Sequence, residues 1–143
     1  MKVAIYGQVY QDNALEYVEE LLDELKKQSA TVVIEKQFKH HLSKRLNVEA
    51  YGVFSETAGL DSSFDMFVSF GGDGTILRAT TFVRDLGIPI VGVNTGRLGF
   101  LSTFKKEDVR KVVQAFLQGE YSIVERSLIE VNEGVQYDEI GDL

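Results

Sequence analysis

The stretch MFVSFGGDGTILRAT, residues 66–80, decides the fold. Its opening run MFVSF is apolar enough to be covered on both faces, as strands of parallel sheets are. Glycines at 71, 72 and 74 then permit a tight turn, after which Ile76, Ala79, Val83 and Leu86 recur at helical spacing. A strand that passes through glycines straight into a helix is the building unit of an open α/β sheet.

The same alternation extends in both directions. Upstream, KVAIYG (2–7) has the pattern of a buried strand, and DNALEYVEELLDELKKQSA puts Leu15, Val18, Leu21, Leu22 and Leu25 on one helical face. Asp12 or Asn13 suits the start of that helix, and Lys26 and Lys27 suit its end. TVVIE (31–35) gives a second strand, and Phe38, Leu42 and Leu46 mark a short second helix. Residues 50–64, AYGVFSETAGLDSSF, look like a loose polar connection. Downstream, IPIVGV (88–93) is a further strand, opening with the only proline. A second glycine-bearing loop, NTGRLGFLS, follows it. KEDVRKVVQAFLQGE then forms a helix with Val109, Val112, Val113 and Phe116 inward and Gly119 near its stop. YSIVERSLIEVNEGV looks extended. The fold class is therefore α/β, a doubly wound, mostly parallel, Rossmann-like sheet. Both glycine loops follow strands, so both are expected at the carboxyl edge where such sheets bind ligands.

Composition narrows the function. With 143 residues, 44% of them hydrophobic, the chain has the length of one domain with a real core. The balance of 22 acidic against 15 basic residues, a net charge of -7, argues against a dedicated nucleic-acid surface. Without cysteine there is neither a disulfide framework nor a thiolate metal site. The N-terminal apolar run, broken at Gly7 and Gln8, is too short for a signal peptide, and nothing approaches a membrane span; a soluble, cytoplasmic protein is expected. His40 and His41 have no partner at metal spacing and are expected at the surface.

Asp73 stands out in the first glycine loop. Amides at a helix start bind anions, which suits a phosphate, yet a carboxylate beside an anion repels it. It is tolerable there if it holds Mg2+, accepts a hydroxyl proton or hydrogen-bonds a ribose, and phosphoryl transfer to a hydroxyl uses all three. The loop is neither a Walker A sequence nor a G-x-G-x-x-G fingerprint. On spacing alone, Asp73 serves equally well as a cap for the helix that carries Thr75 and Ile76.

GGDGTILRA together with GVNTGRLGFLS resembles the N-terminal domain of the NAD kinases, which is related to the diacylglycerol kinase fold. The resemblance covers residues 1 to about 130 in the order of strands and motifs. The first motif is shared with lipid kinases and phosphofructokinases, whereas NTGRLGFL looks like the corresponding segment of neither. The resemblance implies phosphoryl transfer from ATP or another donor to the 2'-hydroxyl of the adenosine ribose of NAD, giving NADP, with Mg2+ or another divalent cation on the phosphates. It makes Asp73 the catalytic base and places Gly71, Gly72, Gly74 and Thr75 against the nucleotide. Arg78 matches a basic position used for the dinucleotide, where a guanidinium can pair with a phosphate bidentately. Phe100 and Leu101 match the adenine side of the pocket. Asn94 and Arg97 belong to the second motif, Arg97 as a candidate phosphate contact.

The resemblance also implies a β-rich second domain that this chain is too short to hold. Residues 1–125 are read as the α/β nucleotide-binding domain and 126–143 as the start of the connection. Asn132-Glu133 sits too early for the Asn-Glu pair that opens the family's second domain. The chain is expected to be a fragment, inactive alone, of an enzyme that assembles as a homodimer or homotetramer. Two rival classes remain open: a lipid or sugar kinase of the same superfamily, and a non-catalytic nucleotide-binding module in which Asp73 merely caps.

Overall fold

The structure, a computed structural model, describes residues 1–8, 14–96, 99–101 and 104–128. Its sheet has six parallel strands: β1 (Lys2–Gly7), β2 (Thr31–Glu35), β3 (Gly52–Phe54), β4 (Met66–Gly71), β5 (Ile90–Asn94) and β6 (Phe104–Lys105), in the order β3-β2-β1-β4-β5-β6. Among the described residues, α1 (Leu15–Lys27), α2 (Lys36–Leu42) and α3 (Asp73–Val83) connect strands, and α4 (Val109–Leu117) follows β6. The expected doubly wound sheet is thus present, with its order reversing between β1 and β4.

Strand alternation sorts the core into two layers. Val3 and Ile5 of β1 and Met66, Val68 and Phe70 of β4 face α1, α2 and α4, where Leu21, Leu25, Phe38, Leu42, Val109 and Val113 meet them. Ala4, Tyr6 and Phe67 point the other way, toward Ala79, Phe82 and Val83 of α3. The α1 face is the one read from the sequence: Leu15, Val18, Leu21, Leu22 and Leu25 are all buried. Its proposed caps, Asp12 and Asn13, lie outside the described residues. Arg110 of α4 reaches Glu20 and the buried Glu24 of α1, each at 3.7 Å, and so ties these helices together. Helix α2 starts directly at the end of β2 because the Glu35 carboxylate accepts the Phe38 N–H at 2.7 Å and caps it.

Two strands were not anticipated. Residues 50–64 are not a loose connection: Gly52–Phe54 pairs with β2, and Phe54 and Phe64 are buried in the second layer. Phe54 packs edge-on against Phe67 and Phe82, with ring centroids 5.6 and 5.4 Å apart. The following turn is fastened to the N-terminus, since Asp65 accepts the Lys2 backbone N–H at 2.8 Å and the Lys2 ammonium donates to Ser63 at 2.5 Å. Hydrogen bonds from the Ser63 hydroxyl and then its amide hold the Asp61 carboxyl below its ordinary range. The second unanticipated strand, β6, is only two residues long and pairs with the end of β5. Residues 121–128, read as extended, adopt neither helix nor strand, and the rest of that segment lies outside the described residues.

Candidate active site

The crevice lies where the strand order reverses. β1 and β4 run side by side with Gly7 opposite Phe70, and β4 and β5 with Gly71 opposite Asn94. The ends of three strands therefore meet at one edge, the place where open parallel sheets receive ligands. The expected convergence of the two glycine loops is found, and the end of β1 joins them. Gln8 N–H donates to Phe70 O at 2.9 Å, and the Thr75 hydroxyl donates to Gln8 Oε1 at 3.2 Å. Gln8 was not singled out in the sequence, because only the pairing of β1 with β4 brings it to the loop.

The first loop is shaped by Gly71, whose φ is +152°. A Cβ there would collide with the Thr75 hydroxyl and lie 2.8 Å from Thr75 Cβ, so no other residue fits. Thr75 is thereby buried under the turn, while Gly72 and Gly74 are exposed and border open space. Gly72 occupies the N-cap position of α3 and Asp73 is its first helical residue.

Asp73 does not cap its helix. Its carboxylate reaches across to the second loop, where Oδ2 accepts the Phe100 N–H and Oδ1 accepts the Leu101 N–H, each at 2.8 Å. Charge-assisted bonds of this kind stabilise the ionised carboxylate and fix its plane. The second loop is itself hooked back onto the sheet. Buried Asn94 accepts the Gly96 N–H through Oδ1 at 2.8 Å, and Thr95 N–H donates to Gly71 O at 3.3 Å.

The remaining expected site residues are less closely gathered. The Arg78 guanidinium sits 2.5 Å from the Glu56 carboxylate and 5.8 Å from the centre of the Phe82 ring. Phe100 projects outward with 80% of its surface exposed, and the guanidinium of Arg126, not singled out in the sequence, lies 5.9 Å from its ring centre. Leu101 is half-buried. Arg97 lies outside the described residues. His40 and His41 are both exposed, as expected, beside a basic groove that Lys36, Lys39, Lys44 and Arg45 line near β3, toward the far edge of the sheet from β5.

Among the described residues no three Asp, Glu or His side chains gather as a metal-holding cluster. None of the described helices is long and apolar enough to cross a membrane.

Fold and crevice together define an α/β domain of the kind that receives a ligand where its strand order reverses, here between glycine loops joined through one carboxylate. Residues 3–121 match the family model of the ATP-NAD kinase N-terminal domain, and the chain belongs to that family. It is 43% identical over 130 residues to an NAD kinase of Christiangramia forsetii, covering 90% of this chain and 44% of that protein. An NAD kinase of Flavobacterium psychrophilum is 42% identical over 144 residues, covering 100% of this chain and 49% of its own length. Among solved structures, yeast NADH kinase complexed with NADH shares the fold with a TM-score of 0.64 at 22% identity, over 84% of this chain and 38% of that one. The chain thus spans about half the length of the curated relatives it matches.

Proposed function

We propose that this chain supplies the base-bearing half of an NAD kinase, which transfers a phosphoryl group from ATP or a related donor to the 2'-hydroxyl of the adenosine ribose of NAD. The observation that carries this reading is the fixed Asp73 carboxylate between two glycine loops, in a chain of the ATP-NAD kinase family. Asp73 accepts the proton of the 2'-hydroxyl as its oxygen attacks the terminal phosphorus of the donor. The new O–P bond forms while the bond to the bridging oxygen breaks, and the diphosphate leaves with that electron pair. The exposed amide end of α3 at Gly72 and Gly74 favours the phosphate charge, and Arg78 is its candidate partner. Asn94 and Thr75 shape the two loops, and Phe100 and Leu101 border the adenine. Mg2+, when bound on the phosphates, would lower the repulsion between donor and acceptor charges.

On this reading residues 1–125 form the nucleotide-binding unit and 126–143 lead toward a β-rich second domain. The same reading makes the full protein a cytoplasmic homodimer or homotetramer whose partners are NAD and ATP, without nucleic acid or membrane.

The test is made on the full-length protein that contains this chain. With NAD, ATP and Mg2+, NADP formation is followed by an NADP-specific dehydrogenase, and Asp73→Asn is expected to lower kcat by about 10²–10⁴-fold while nucleotide binding persists. Undiminished turnover in that variant would remove Asp73 from the chemistry.

A further inference from the structure

We propose that Gly99 is a positioning residue of the reaction: its missing side chain lets the Phe100 and Leu101 amides grip the Asp73 carboxylate and set the direction from which it takes the hydroxyl proton. The proposal rests on the kinase reading of Asp73 given above. Two observations carry it.

First, the carboxylate is held at both oxygens by consecutive amides, so its plane is fixed as well as its position. Second, Gly99 lies directly against this carboxylate. A Cβ built on it would fall 2.7 Å from Cγ and 2.8 Å from Oδ2 of Asp73, closer than real Cβ contacts come, and would touch Oδ1 more closely still. A methyl group at 99 therefore displaces the carboxylate.

A base moved by a fraction of an ångström still attracts its substrate but meets the hydroxyl badly, and misplacements near 1 Å cost on the order of 10²-fold in rate. In the full-length protein, Gly99→Ala is expected to lower kcat for NADP formation by about 10–100-fold and to change KM for NAD by less than about threefold. In ¹⁵N-resolved NMR spectra of the same protein, the Phe100 and Leu101 amide protons should lie downfield and move upfield in both Gly99→Ala and Asp73→Asn, with the remaining spectrum of a folded protein. A kcat in Gly99→Ala within twofold of the parent, while Asp73→Asn is inactive, would overturn the positioning role and leave the kinase reading standing. Unmoved amide signals in Asp73→Asn would overturn it as well, since the grip would then be absent. Full activity of Asp73→Asn would take away the kinase reading, and the role of Gly99 with it.

Discussion

Arg78 meets any incoming phosphate already engaged, because Glu56 holds its guanidinium at 2.5 Å. Both side chains are about half exposed, and ion pairs of that kind contribute roughly 0.2–1 kcal/mol. On the proposed reading, a phosphate that takes Arg78 displaces Glu56 at a cost of no more than about fivefold in affinity. Glu56→Gln is expected to tighten binding of the nucleotide that uses Arg78 by about two- to fivefold in calorimetric titration. An unchanged affinity would show that Arg78 takes no phosphate. Arg78 could be picked out from the sequence because the resemblance to the NAD kinases implies a basic residue at its position. Glu56 could not, since it comes from the segment after β3 and meets α3 only in the packed structure. Asp73 shows the same limit: its presence in the loop was plain, but its two amide partners lie 27 and 28 residues away.

Strand β3 separates pattern from packing. Three residues, Gly52, Val53 and Phe54, give too short an alternation to stand out among polar neighbours, and Val53 is half exposed. What makes them a strand is β2 beside them and the aromatic group beneath them, where Phe54 is 1% exposed. Phe54→Ala is expected to destabilise the domain by about 3–5 kcal/mol in urea unfolding, as for other buried aromatics. A cost below about 1 kcal/mol, the usual range for surface changes, would restore the view of 50–64 as a loose connection. The longer elements were legible for the complementary reason. MFVSF and KVAIY are continuous apolar runs, and the α1 leucines hold one face over several turns, so burial is written into their spacing. β6, with two residues and both of them exposed, leaves no such signal.

The whole molecule brings three strand ends to one edge but spans only 44% and 49% of the length of two NAD kinases it resembles. Residues 1–143 purified alone are therefore expected to form little or no NADP from NAD, ATP and Mg2+ in the coupled assay. Robust turnover would show that this domain suffices. The central pairing of β1 with β4 has a further consequence for how such an edge comes to exist. Lys2 and Asp65, bonded at its base, stand 63 residues apart in the chain. Every local turn can form, and β1, α1 and β2 can collapse together, while Gln8 and Thr75 remain strangers. Closing so long a loop carries an entropic cost before any contact repays it, and folds rich in distant pairings are slow to complete. During synthesis, the crevice has no precursor in the first half of the chain: it is assembled in the folding step that joins the two halves.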